Sequence, residues 1–289
     1  MRLLVLLLAL VLATPALAAE LKLATWNMAW LSLRPPGDPA IPPDVPRRNA
    51  AELDRLAGYA RRLGADVVAL QEVDGPEAAA RVFDPARYNF EFAGEKDVQR
   101  VGFAVQRGLR ITRHPDLTAL DPHPNQRFSL RRGVDISVEL GGQRLRLLAL
   151  HLKSGCHEQP LAGASYHACQ ALTHQVPVVA AWMAERRSEG VAFAVLGDLN
   201  RRLHPGDEMF RALAAAAPIA SVAEGFSNPC WARANSSGRP FIDHILLGGA
   251  AVQWWRRDSM RVLTYSETDP RQREVLSDHC PVSILLAPR

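Results

Sequence analysis

Six short apolar runs in this 289-residue chain carry, at or near their ends, side chains able to bind cations or move protons. They are Asn27 in ATWN, Glu72 in ALQEV, His151 and Lys153 in LLALHLKSG, Asp198 and Asn200 in VLGDLN, Asp243 in FIDHI, and Asp278 with His279 in LSDHCPV. Carboxylates and an amide oxygen suit a hard divalent cation. Two histidines, with a further Asp to orient one of them, can handle protons. Cationic groups can neutralise an anion. Together these types are an inventory for metal-assisted hydrolysis of a phosphate ester. Singly, each has a plainer reading, because polar groups at strand ends are commonly solvated or cap a following helix.

These residues can act together only if the elements that bear them bring their ends to one edge. The runs LKLATWN, DVVALQEV, VGFAVQR, VDISVEL, LRLLALHL, VAFAVLGD, FIDHILL and PVSILL read as strands, several apolar on both faces and so buried. In the strand ending GDLN, alternation turns Leu199 away and leaves Asp198 and Asn200 on one face. By the same rule His244 faces away from Asp243 and is structural. Helical spacing appears over Arg47–Leu63, where Leu53, Leu56, Ala57, Ala60 and Leu63 share a face and Gly64 terminates the helix. It recurs at Leu172, Val176, Val179 and Met183, with Pro177 expected to kink or break that helix. A Pro-rich stretch, Arg34 to Arg48, and a second stretch, His114 to Gln126, read as exposed loops. Many strands and few helices predict sheets packed on each other and covered outside by helices.

Composition permits this chemistry without demanding it. Hydrophobic content of 48% and charged content of 22% are ordinary globular values, which exclude disorder and a membrane bundle. A net charge of +4 suits an anionic partner, although an Arg-rich composition alone produces the same sign. Residues 1–18 have the positive start, apolar centre and Ala16-x-Ala18 end of a cleavable leader, so the mature chain is expected to begin at residue 19 and be periplasmic or secreted, without stable membrane insertion. Four cysteines fit that compartment and allow three pairings. The short closed loop favours Cys156 with Cys169, leaving Cys230 with Cys280. The other histidines, at positions 114, 123, 157, 167, 174 and 204, show no metal-ligand spacing and read as surface residues, while Trp254-Trp255 reads as core filling.

The ordered blocks TWNMAWL, LQEV, HLKSG, GDLN, FIDHI and SDHCPV resemble the signature of the endonuclease/exonuclease/phosphatase superfamily, the group of DNase I, AP endonucleases, inositol polyphosphate 5-phosphatases and neutral sphingomyelinases. The resemblance runs from about Leu21 to the C-terminus, so one domain over 19–289 is expected. It implies an α/β four-layer sandwich, two mixed sheets face to face with helices outside. It also implies that Glu72 is the principal metal ligand, with Asn27 and Asp278 nearby, and that the ion is Mg²⁺, with Mn²⁺ or Ca²⁺ as substitutes. Asp198 then orients or deprotonates the attacking water and Asn200 donates to a phosphate oxygen. His279 resembles the family's C-terminal histidine, held by Asp243, and His151 the one that contacts phosphate. Arg131 matches a phosphate-binding arginine better than Arg132 does. Lys153 shares the strand face of His151, where it either reaches a phosphate or is solvated.

The resulting expectation is a divalent-metal-dependent phosphodiesterase acting as a monomer, with DNA or RNA as the leading substrate. A phosphatase or a sphingomyelinase-like phospholipid enzyme is the alternative with the same chemistry, although no loop offers the apolar docking segment that a lipid surface asks for. A binding module that keeps the fold without the chemistry is the alternative of another kind.

Overall fold

The computed structural model describes residues 20–124, 129–232, 238–269 and 271–288. The leader expected at residues 1–18 and the Asn125–Gln126 end of the second loop therefore lie outside the described residues. Along the chain run β1 (Leu21–Leu31), α1 (Ala50–Leu63), β2 (Val67–Val73), α2 (Pro76–Ala79), β3 (Tyr88–Phe92), β4 (Arg100–Gln106), β5 (Ile111–Arg113), β6 (Val134–Leu140) and β7 (Gln143–His151). There follow α3 (His167–Ser188), β8 (Ala192–Asp198), α4 (Glu208–Ala216), β9 (Ile219–Ser221), β10 (Asp243–Gly248), α5 (Ala251–Trp254), β11 (Arg261–Val262), α6 (Gln272–Val275) and β12 (Val282–Leu286). The strands form two six-stranded sheets, ordered β11-β12-β1-β2-β4-β3 and β5-β6-β7-β8-β10-β9. Each is mixed: β1 pairs parallel with β2, and β7 with β8, in otherwise antiparallel surroundings.

Strand alternation sorts the apolar residues into three layers of core. Leu21, Leu23, Val67 and Ala69 of the first sheet meet Leu145, Leu147, Ala194, Leu196, Ile245 and Leu247 of the second between the sheets. Ala24, Trp26, Val68 and Leu70 face outward and are covered by Leu53, Leu56, Tyr59 and Leu63 of α1. Leu148, Leu150, Phe193 and Val195 are covered by α3 and α4 through Leu172, Val176, Val179, Met183, Met209 and Leu213. This is the four-layer arrangement that the sequence predicts.

Helix α1 begins with a full capping box between Asn49 and Glu52 and ends on Gly64 at φ 53°. Pro177 does not break α3, which runs unbroken over 22 residues. The lost hydrogen bond is outweighed by a face of the helix buried on both sides of the proline. Both favoured disulfides are present, Cys156–Cys169 and Cys230–Cys280. The buried Trp254 joins the core between the sheets and Trp255 packs against it. Two of the histidines expected at the surface are instead half-buried: His114 bonds Ser137, and His157 Nδ1 bonds the Asn200 carbonyl. Among the described residues no helix is long and apolar enough to cross a membrane.

Candidate active site

The inward-facing parity of each central strand continues into a polar residue at its end. In β1, Leu21, Leu23 and Thr25 lead to Asn27; in β7, Leu145, Leu147 and Ala149 lead to His151; in β8, Ala194 and Leu196 lead to Asp198. Asp243 opens β10 on the parity of Ile245 and Leu247. Register completes the row, since His151 pairs with Asp198 and Asp198 with Asp243. Gly197 permits that pairing, because a Cβ there would lie 2.0 Å from the Leu150 carbonyl oxygen. The outward residues behave accordingly: Leu199 is buried under the helices, and His244 Nε2 bonds the Arg201 carbonyl.

Glu72 breaks the parity. It follows the inward Gln71 and should face α1, but the β1–β2 and β2–β4 ladders both slip there and its φ is 58°. The bulge turns its carboxylate to the gap between the sheets, where Asn27 Nδ2 donates to it at 3.1 Å and the Trp30 N–H at 3.2 Å. Ala29, Trp30 and Asn200 also hold left-handed backbone, at φ 45°, 57° and 51°. Non-glycine residues rarely adopt it without compensation nearby.

Around Asp198 the charges converge. Its Oδ2 accepts from Asn27 Nδ2 at 3.1 Å, lies 3.8 Å from His151 Nε2 and 3.7 Å from His279 Nε2. His151 Nε2 is also 3.7 Å from Glu72. Asp243 grips His279 Nδ1 at 2.8 and 3.0 Å. Burial pushes Asp198 up to about 7, and the Asp243 charge adds to this against the opposing pull of His279, the Asn200 N–H and Asn27. Burial also drives His151 down to about 4, with Arg131 and His279 in the same sense and Glu72 opposing. For His279, burial opposes the charge but Asp243, Asp198 and Asp278 outweigh it, so its pKa is well above the usual value. Glu72 is held below the ordinary carboxylate range, because His151, Asn27, His279 and Gln99 overcome its burial.

The remaining expected residues stand around this centre. Asp278, half-exposed, has Oδ1 3.9 Å from His279 Nε2. Asn200 Nδ2 donates to the Leu152 carbonyl and its backbone N–H to Asp198. Arg131 lies close enough to His151 and Lys153 to lower the pKa of each, although two of its nitrogens bond Ser129 and Gln99 and one pairs with Asp97. Lys153 is half-buried, with Nζ on the Ser154 carbonyl. Arg132 turns away to Glu95 and Gly94, so Arg131 is the arginine of the pair that faces the histidine.

Three residues in this surround are not among those singled out from the sequence. Gln99 sits between Glu72 and Arg131 and bonds both. Gln175 from α3 accepts from the Lys153 N–H at 2.9 Å. Tyr265 receives a hydrogen bond from the Trp26 indole and donates to the His279 carbonyl, and burial raises its pKa. Gln99 directly precedes β4 on the inward parity of Val101, Phe103 and Val105, so strand alternation points to it, whereas Gln175 on α3 and Tyr265 in a loop carry no such signal.

Two sets of groups could be considered for a cation. Asp198, Asp243 and His279 each offer an atom within 4.8 Å of the others. The bond to Asp243 and the proton it favours make His279 a donor, so that set does not fit. The oxygen donors Glu72, Asn27 and Asp278 fit a hard ion by type, with Glu72 held anionic although buried. Asn27 turns its Nδ2 to both carboxylates, while its Oδ1 accepts from the Ala29 N–H and keeps one lone pair. His151 Nδ1 is buried without a partner among the described residues. An apolar hollow of about 440 Å³ lined by Val191, Phe193, Ile219 and Val252 opens at the opposite end of the second sheet, far from these groups.

The sequence matches the Endonuclease/Exonuclease/phosphatase family over residues 24–279. No curated protein is significantly similar in sequence. Among solved structures, truncated Caenorhabditis elegans TDP2 is similar at TM-score 0.58 and 14% identity, covering 93% of this chain and 98% of that one. D. rerio TDP2 complexed with single-strand DNA product gives 0.56 and 18%, covering 93% and 99%. The 3′ phosphatase NExo from Neisseria, bound to a product DNA hairpin, gives 0.57 and 14%, covering 91% and 98%. At these identities the likeness is one of fold.

Proposed function

The chain belongs to the endonuclease/exonuclease/phosphatase family, and from that premise we propose that it is an exported, divalent-metal-dependent phosphodiesterase whose substrate is DNA or RNA. The observation that carries this reading is Asp198: a buried carboxyl titrating near neutrality, within 3.8 Å of two histidines, one of them held protonated by Asp243.

The residues divide the work. Mg²⁺, or Mn²⁺ or Ca²⁺ in its place, fits the oxygens of Glu72, Asn27 and Asp278, and when bound supplies positive charge to the phosphoryl oxygens and the leaving group. Asp198 accepts the proton of the attacking water. His279 donates from Nε2 to a phosphoryl oxygen while Asp243 holds the ring. His151, uncharged, bonds a second oxygen. Asn200 has one amide N–H beyond its bond to Leu152 for the same purpose, and Arg131 with Lys153 neutralises the phosphate. Nucleic acid is favoured by the net charge of +4 and by DNA in the TDP2 and NExo structures of the same fold. Two disulfides support export after removal of residues 1–18, leaving one domain over 19–289 in the periplasm or medium. One chain provides every group, which supports action as a monomer.

The test is hydrolysis of plasmid DNA, RNA, bis-(p-nitrophenyl) phosphate, sphingomyelin and inositol phosphates by purified protein, with and without EDTA. Turnover of nucleic acid and of the model diester should stop with EDTA and return with Mg²⁺. Turnover that persists in EDTA overturns the mechanism. Activity confined to sphingomyelin or inositol phosphates replaces the substrate, and wild type that behaves like Asp198→Asn by turning over no ester with Mg²⁺ makes the protein a binding module.

A further inference from the structure

Arg48 ends the Pro-rich loop, far from any strand end, yet its guanidinium is aimed at the backbone beneath the site. Nε donates to the Val275 carbonyl at 2.7 Å and Nη1 to Trp30 at 3.2 Å. Nη2 reaches Met28 at 2.9 Å, Ala29 at 2.7 Å and Leu276 at 2.8 Å. Among the described residues it pairs with no carboxylate, and loss of water pulls its pKa down to about 10. A desolvated cation without a counter-ion is costly unless its donors are filled, so these carbonyls are its binding site.

The carbonyls belong to two turns. Residues 28–30 form a turn, left-handed at Ala29 and Trp30, that delivers the Trp30 N–H to Glu72 and the Ala29 N–H to Asn27. Val275 and Leu276 lead into Ser277, whose Oγ donates to the Asn27 carbonyl at 2.7 Å and accepts from the His279 N–H at 3.0 Å. One turn thus sets the carboxylate side of the site and the other sets the histidine side. Successive left-handed residues are strained and point their carbonyls together, which repel unless a cation sits among them.

We propose that Arg48 is a positioning residue that fixes the Asn27–Trp30 turn against the Val275–His279 turn, and so sets the separation of Glu72 from His279. It touches neither substrate nor reacting atoms. A planar fork reaches both turns at once, whereas the single ammonium of lysine keeps the charge but not the span. The inference rests on the proposed hydrolase chemistry only for its kinetic consequence.

Two readouts test it on the full mature chain with Arg48→Lys. In amide hydrogen exchange, Ala29, Trp30 and His279 should lose protection by about tenfold or more while the centres of β7 and β8 keep theirs. At saturating Mg²⁺, kcat on bis-(p-nitrophenyl) phosphate should fall about 10- to 100-fold with KM changed little, because misplacement by about 1 Å has that size of effect. Unchanged protection in both turns overturns the proposal, and so does kcat at the wild-type level. If Arg48→Lys does not fold, Ser277→Ala removes the neighbouring tie and should loosen the same amides. Were wild type inactive on every ester, the hydrolase reading would fall while the exchange result still decided the role of Arg48.

Discussion

The second sheet buries a carboxylate cluster on each of its faces, and the two are built in opposite ways. On the outer face, Asp135 of β6 accepts from Arg146 at 2.6 and 2.9 Å and from the Trp182 indole at 2.7 Å, with Arg186 3.9 Å away. Its oxygens are filled by fixed donors under α3. On the inner face, Asp198 and Glu72 stand 3.7–3.8 Å from imidazoles, beyond hydrogen-bond reach, with Asp243 adding negative charge. Burial alone therefore does not mark a functional site. What distinguishes the inner cluster is that both histidines stand off Asp198 and that His151 Nδ1 is buried without a partner among the described residues, so that a ligand from outside can complete it.

The sharpest way to break this comparison is Asp198→Asn. It keeps shape and removes the proposed proton acceptor, so kcat should fall about 10²- to 10⁴-fold. The melting temperature should stay or rise, because a buried negative charge beside Asp243 disappears. Calorimetry and steady-state kinetics on the same preparation check both. A variant that melts earlier and keeps its kcat would place Asp198 in the structural class. Next in size is the mirror experiment, Asp135→Ala, which strands Arg146 and the Trp182 indole under α3, while Arg186 keeps Glu185 and Glu189, and should cost about 3–5 kcal/mol in urea unfolding. Activity per folded molecule should hold, and its loss would mean that the outer cluster supports the site through β6 and β7.

Which of these residues were legible in the sequence follows from the same geometry. Asn27, His151, Asp198 and Asp243 continue the inward parity of their strands, so a period of two is enough to place them in the inter-sheet gap. Glu72 runs against its parity, and only the resemblance of LQEV to a family block singles it out, because no local pattern announces the bulge. Gln99 falls on the inward parity of its strand, one residue before β4 begins, and the same period places it. Arg48, Gln175 and Tyr265 act from loops or from a helix across long sequence separations, largely on backbone atoms, and periodicity carries no trace of such contacts. Pro177 misleads for the opposite reason: its local preference is real and tertiary burial overrides it.

Glu95 lies between the two kinds of carboxylate and yields the smallest effect. Its Oε2 accepts from the Arg132 N–H at 3.3 Å, while Oε1 is buried with no partner among the described residues. Burial pushes it from 4.5 up to about 7, and Asp97 adds to this against the Arg131 and Arg132 charges. The folded protein thus binds this proton more tightly than the unfolded chain does. Neutral Glu95 contributes stability that is complete below about pH 4.5 and is lost as pH rises through about 7. Glu95→Gln keeps a neutral group there at every pH, so its unfolding free energy should match wild type near pH 4 and exceed it by about 3 kcal/mol at pH 8. Urea titrations at the two pH values measure that difference. A gap that stayed constant with pH would mean that Arg131 and Arg132 complete Glu95 as fully as Arg146 completes Asp135, and the loop bearing Arg131 would then belong with the self-contained cluster instead of the open one.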